Sequence, residues 1–311
     1  MSMRVPRLTV CTNRSNTCFQ LATLLLCIFL TLNQLQCSVW ENSFRLPGPV
    51  VKERYRAVIL VLASQVSPLD EMFKRVWVAY MTTEPAIKVL FVYGSRNDSS
   101  IDHMSKMPYD LYYENIPDTY PVPIAKVLEA FKSIEHQYEY DFLVRTNLST
   151  FWNLRALLEH LDSLPGKLCY AGDGPLPPSL PIEQRYYLSG TDTIVNRHMI
   201  TAIVRHAAEY PAWASRLDPE DSMMGEFFHK TLGAGLTSAG PYFMEHYTTE
   251  NLQEIHMDIR NAEQQNKTHF RVKTRGGDRL QLDTFIMKNL LRHHYDIDLE
   301  VDYLKRTVAE E

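Results

Sequence analysis

Two short stretches of this sequence hold side chains whose types and spacing suit chemistry. In the first, Phe142, Leu143 and Val144 read as a buried strand that ends abruptly in Arg145, Thr146 and Asn147. In an open α/β sheet the carboxyl ends of strands face a crevice, so polar groups at such a tip are candidates for binding. In the second, residues 217–225 (LDPEDSMMG) put Glu220 and Asp221 into the first turn of a helix. A carboxylate there can take a proton from a bound hydroxyl, which is the work of a general base. The same stretch is also an ordinary helix start, with Asp218 as N-cap, Pro219 at the first position and acids complementing the helix dipole. A third group lies at 273–279 (KTRGGDR), where Lys273, Arg275 or Arg279 suits a diphosphate, unless the loop is simply solvated.

Such residues need strands and helices to hold them. Residues 57–63 (AVILVLA) form a continuous apolar run of the kind buried on both faces of a parallel sheet. A helical segment at 71–81 and a second strand at 87–93 (IKVLFVY) complete a βαβ unit. After Pro123, Ile124, Val127, Leu128, Phe131 and Ile134 share one helical face. The spacing predicts further helices over 153–164, with Leu154, Leu157, Leu158 and Leu161 inward, and over 196–209. A strand at 168–171 and a last helix from residue 283, with Phe285, Ile286 and Leu290 inward, finish the pattern.

Composition narrows the class. The 311 residues are 45% hydrophobic and 22% charged, ordinary for a globular core, and the net charge of −5 with no basic block argues against a nucleic-acid surface. Arg4, Arg7 and Arg14 precede an apolar run from residue 18, and no acid occurs before Glu41. This predicts a cytosolic tail at 1–17, a signal-anchor segment at 18–38 and a stem at 39–54, with the folded body at 55–311 beyond the membrane. A cleaved signal peptide, giving a secreted body, is the alternative. Four of the five cysteines, Cys11, Cys18, Cys27 and Cys37, fall in or beside this segment, which leaves Cys169 as a buried, unpaired residue. Asn97 and Asn266 head glycosylation sequons in polar loops, and their use would confirm a lumenal body. His293 and His294 have no partner at ligand spacing and receive no metal.

The ordered stretches resemble the beta-1,3-galactosyltransferase and fringe superfamily. Residues 140–153 are similar to its K-T-D-D-D-x-F-x-N segment through Arg145, Thr146, Phe151 and Asn153, while Asn147, Leu148 and Ser149 stand in place of the aspartate triplet. Arg75 and Trp77 resemble its R-x-x-x-I-R-x-T-W region, and Asp118, Tyr120 and Lys126 occupy the D, Y and K places of D-x-Y-x-N-L-T-x-K. Tyr170-Ala171-Gly172 is similar to its Y-A-G. Ser189, Gly190 and Thr191 match its S-G-T, with Asp192 at a usual glycine. Glu220, Asp221 and Gly225 fit its E-D-x-x-x-G motif.

The resemblance implies a single nucleotide-sugar-binding, Rossmann-like α/β domain of the GT-A type with a mixed, mostly parallel sheet. It implies a type II membrane glycosyltransferase of the Golgi or endoplasmic reticulum that moves a hexose or N-acetylhexosamine from a UDP-sugar to a glycan or glycoprotein acceptor, with inversion. Asp221 is then the catalytic base with Glu220 in support. Arg75, Asp118, Tyr120, Lys126, Arg145, Thr146, Asn147 and Ser149 bind the donor, and Ser189, Gly190, Thr191 and Asp192 meet the acceptor.

Divalent cations prefer carboxylate oxygens. Asn147 and Ser149 supply only a neutral carbonyl and a hydroxyl, which leaves Mn²⁺ weakly held unless Asp192 or Asp173 compensates; Asp192 serves equally as a cap for the helix after it. Three outcomes stay open: metal-independent transfer using Arg145 and a C-terminal cation, relocated acids, or a catalytically silent glycan-binding or partner protein with the same fold.

Overall fold

The run at the first predicted strand sets the sheet. In this computed structural model, which describes residues 52–64, 67–95, 107–118, 122–173, 188–275 and 277–299, β1 covers Glu53–Leu62. Ala57, Ile59 and Val61 enter one apolar layer, and Val58, Leu60 and Leu62 enter the other. Both faces of β1 are therefore buried, as its unbroken hydrophobicity requires. The expected tail, membrane segment and most of the stem lie outside the described residues, as do Asn97 and Tyr120. Among the described residues no helix is long and apolar enough to cross a membrane.

β2 (Ile87–Ser95), β3 (Asp110–Pro117) and β4 (Tyr138–Asn147) follow. The remaining strands are β5 (Thr150–Trp152), β6 (Tyr170–Gly172), β7 (Asp192–Asn196), β8 (Leu236–Ser238), β9 (Tyr242–Met244) and β10 (His269–Val272). Seven of these make one sheet in the order β3-β2-β1-β4-β7-β6-β8. The pairings of β3, β2, β1 and β4 are parallel, and β7 alone runs against its neighbours β4 and β6. The fold is thus mixed α/β with a mostly parallel central sheet. A small second sheet, β5-β10-β9, packs beside it.

Helices cover both faces. α1 (Pro68–Tyr80), capped by the Ser67 side chain accepting from the Asp70 N–H, lies on one side with α3 (Leu154–Ser163). On the other side α2 (Ile124–Gln137) buries Ile124, Val127, Leu128, Phe131 and Ile134, and α4 (Arg197–Glu209) buries Met199, Ile200 and Ile203. Removing one such side chain to alanine costs about 2–5 kcal/mol. α5 (Pro211–Ala214) leads to α6 (Glu220–Gly225), which continues as a π-helical turn at Glu226–Thr231; α7 (Ile255–Gln264) and α8 (Arg279–Tyr295) complete the chain described.

Several expectations need correction. Asp218 does not cap α6: Pro219 holds the cap position, and Asp218 pairs with Arg216 at 2.7 Å. α8 starts at Arg279, because Asp278 accepts from the Gln281 N–H and caps it. Ile286 and Leu290 on this helix are buried, but Phe285 is 40% exposed. Cys169 is buried and unpaired, as expected.

Candidate functional site

The register of the sheet brings the site together. Leu62 at the end of β1 lies beside Asn147 at the end of β4, and Thr146 lies opposite Asp192, where the antiparallel β7 begins. The carboxyl ends of β1 and β4 and the lead-in to β7 therefore share one rim. There a cavity of about 610 Å³ opens, lined by Arg145, Asn147 and Ser149, by Ser189, Gly190 and Thr191, and by Glu220 and Asp221. Arg271, Lys273 and Arg279 close it from the C-terminal side, and Asp70 lines it from α1. The strand tip and the acidic helix start, far apart in sequence, thus share a single cavity.

Arg145 is the innermost cation. Its residue is 5% exposed, and its guanidinium forms an ion pair with Glu220, itself 4% exposed. Burial pushes the Arg145 pKa down to about 10, the negative charge of Asp221 acting in the opposite direction, so the group stays charged at neutral pH. Among the described residues its Nε and Nη1 are buried without an acceptor. An unsatisfied charged donor of this kind is costly, and an acceptor entering the cavity would offset that cost. Gly190 makes the fit possible: a Cβ there would overlap Nη1 and come within 2.9 Å of Cζ.

Glu220 and Asp221 have different surroundings. The Glu220 N–H donates to the Val122 carbonyl at 3.3 Å, which ties α6 to the start of α2, and its carboxylate is committed to Arg145. Asp221 is half-buried, and its Oδ1 accepts from the Ser222 N–H at 2.8 Å. Of the two carboxylates, Asp221 is the one left to act on a ligand.

The other expected residues divide. Asp118 and Lys126 are together, 2.6 Å apart and buried, with Lys126 also donating to the Ala63 carbonyl at the end of β1. Burial lowers the Lys126 pKa, opposed by Asp118. This pair braces the strand end beneath the cavity rather than lining it. Thr146 is buried and donates to the Thr191 carbonyl, which fixes the Ser189–Thr191 segment to β4. Arg75 is on the exposed face of α1, paired with Glu71 at 3.0 Å, and does not line the cavity.

Asp192 does not face the cavity either. Its oxygens accept from Thr191 Oγ1 at 2.7 Å and lie 2.8 Å from His269 Nε2, and the His269 ring stacks on Trp152 at 4.0 Å. Both carboxylate oxygens are occupied in the core, which leaves none for a cation at the strand tip. Nor does Asp192 cap α4; Asn196 holds that position.

Arg271 is the residue that sequence reasoning missed. It lies on β10 opposite Thr150 of β5, and its Nη1 donates to both Asn147 Oδ1 and Ser149 Oγ. Asn147 Oδ1 also accepts from Ser149 Oγ at 3.2 Å and Thr150 Oγ1 at 3.0 Å. The two side chains expected to hold a metal weakly are therefore bonded to each other and to a guanidinium. A divalent cation does not fit there: its neutral ligands are taken, and a positive charge already stands among them. Of the loop cations, Lys273 and Arg279 line the cavity, Arg279 while paired with Asp283 at 2.8 Å, and Arg275 pairs with Glu245.

Away from this cavity, His293 and His294 do meet a partner. His293 Nε2 is 2.9 Å from Glu263 Oε1, and His294 Nδ1 is 3.8 Å from it. The sequence could not show this, because Glu263 lies on α7.

Neither a protein-family model nor a curated protein sequence matches the chain. Among solved structures it is similar to a glycosyltransferase involved in the glycosylation of the major capsid of PBCV-1, at 8% identity and a TM-score of 0.42, covering 74% of this chain and 98% of that one. A likeness at that level carries no conclusion about activity.

Proposed function

We propose that this cavity binds a nucleoside-diphosphate sugar and that the protein transfers the sugar to a hydroxyl acceptor. The observation that carries the reading is the joint placement of Arg145, Arg271, Lys273 and Arg279 with the half-buried carboxylate of Asp221 around one space at the strand ends. A diphosphate leaving group needs fixed positive charge, because charge develops on its bridging oxygen as the bond to the sugar breaks. The acceptor needs a base.

In this reading Asp221 takes the proton of the acceptor hydroxyl while that oxygen attacks the anomeric carbon. The carbon–oxygen bond to the diphosphate breaks on the opposite face, its electron pair goes to the diphosphate, and the anomeric configuration inverts. The Ser189–Thr191 segment orients the acceptor, and Glu220 holds Arg145 in position. The donor is a UDP-hexose or UDP-N-acetylhexosamine and the acceptor a glycan or glycoprotein, with the body on the lumenal side of a Golgi or endoplasmic-reticulum membrane behind an N-terminal anchor. The exposed Asn266 is then open to glycosylation.

The test is turnover by the full chain against a panel of UDP-sugars and glycan acceptors, reading released UDP and the configuration of the product. Release of UDP that depends on acceptor and gives an inverted linkage supports the reading. No turnover of any donor, with binding of glycan alone, would leave a silent binding protein.

A further inference from the structure

The family resemblance places a divalent cation at the tip of β4, and the residues there do not fit one. What stands in its place is specific. The Arg271 guanidinium bridges Asn147 Oδ1 and Ser149 Oγ through Nη1. The backbone fixes this arrangement, since the Val272 N–H donates to the Ser149 carbonyl at 2.9 Å and β10 pairs with β5 through the Arg271–Thr150 register. Arg271 lines the cavity beside Lys273 and Arg279. One terminal nitrogen of the guanidinium is thus spent on the protein, while the rest of the planar fork has donors left for phosphate oxygens.

We infer that Arg271 is a built-in replacement for the divalent cation: a strand-borne guanidinium, held by Asn147 and Ser149, that binds the diphosphate of the ligand without metal. The inference rests on the nucleotide-sugar reading for the identity of the ligand, but the anion site itself does not.

Two further points agree with it. Asn147 and Ser149 are the uncharged counterparts of metal-binding acids, and neutral oxygens are the partners a cationic side chain can share with an anionic ligand without forming a closed salt bridge. Among the described residues lining the cavity, the acids are Asp70, Glu220 and Asp221. Asp70 is held by Ser64 and Ser67 at 3.3 and 3.0 Å, and Glu220 is committed to Arg145, so neither competes for Arg271.

The experiment is calorimetric titration of the full chain with inorganic pyrophosphate and with UDP, each in EDTA and in Mn²⁺. Wild type is expected to bind both ligands with dissociation constants within about twofold in the two conditions, since no site for the metal's charge is left. Arg271→Ala should weaken both at least tenfold, and Arg271→Lys should recover part of the loss, because a lysine restores charge without the fork. Melting curves of both variants separate a lost site from a lost fold. The triple variant Asn147→Asp, Ser149→Asp, Arg271→Ala should bind pyrophosphate only with Mn²⁺, with bound Mn²⁺ visible by electron paramagnetic resonance. Wild-type binding that EDTA abolishes, or an Arg271→Lys variant that is folded and binds no differently from wild type while Arg271→Ala does the same, would overturn the inference. If UDP binds only with Mn²⁺, the inference falls and the nucleotide-sugar reading stands. If pyrophosphate binds through Arg271 without metal and UDP binds no better, the inference stands and that reading falls.

Discussion

The Arg145 guanidinium and the Glu220 carboxylate form a buried ion pair that joins the end of β4 to the first turn of α6. Both residues are about 5% exposed, so removing either one leaves the other charge without a partner out of water. Arg145→Met or Glu220→Met should each cost about 3–5 kcal/mol, and the double variant less than their sum, with a coupling of about 1–3 kcal/mol. Urea unfolding of the four proteins measures this. Additive losses would show that the pair does not act as a unit.

Neighbouring Asp221 should behave differently. It is half-buried, carries no ion pair among the described residues and lines the cavity. Asp221→Asn keeps shape and the Ser222 contact, and it removes both the ability to accept a proton and the negative charge that acts on Arg145. The expected result is a loss of about 10²–10⁴ in kcat with stability changed by about 0.5 kcal/mol or less. Steady-state kinetics beside a melting curve checks both halves.

Gly190 is set by the same pair. Because a Cβ would overlap Arg145 Nη1, Gly190→Ala must push the guanidinium from Glu220. The loop carrying it is tied down by the Thr146 hydroxyl on the Thr191 carbonyl, so the loop cannot simply retreat. We expect donor binding at least tenfold weaker, measured by titration, while Gly166→Ala, with open space around it, leaves binding unchanged.

The pH dependence of stability has a clear contributor outside the cavity lining. Burial holds the His294 pKa down to about 4, against 6.5 for the free side chain, and its side chain is 4% exposed. Between those values the unfolded chain binds a proton that the folded chain does not, so stability is full above about pH 6.5 and falls as pH drops toward 4. The shift corresponds to about 3 kcal/mol. His294→Phe, whose ring can keep the stacking on Phe151, should flatten this slope in melting curves taken from pH 4 to 7.

The sheet core and the helix faces were legible in the sequence where hydrophobicity is continuous or strictly periodic. β1 and the apolar stripe of α2 are such cases. β3 was not legible, since it is an edge strand whose residues are all partly or fully exposed and whose pairing with β2 shifts register at Gly94 and Ser95. The rim residues Arg145, Glu220 and Asp221 sit at a strand tip and a helix start that the residue pattern marks, whereas Ser189 and Gly190 were reached through the resemblance to a family motif. Arg271 could not. It is one polar residue between buried Phe270 and Val272 in a four-residue strand, and its partners Asn147 and Ser149 are more than a hundred residues earlier. Lys126 lies beside the apolar stripe of α2, and the nearby Asp118 and the Ala63 carbonyl explain its burial.

Hydrogen–deuterium exchange of the full chain with and without UDP tests most directly whether the rim around Arg145 and Asp221 is where the ligand binds. Protection should appear together at residues 145–149, 189–191, 219–222 and 271–275, the four segments that meet only in the folded cavity. Protection confined to other segments, or none at saturating UDP, would contradict a nucleoside-diphosphate site there.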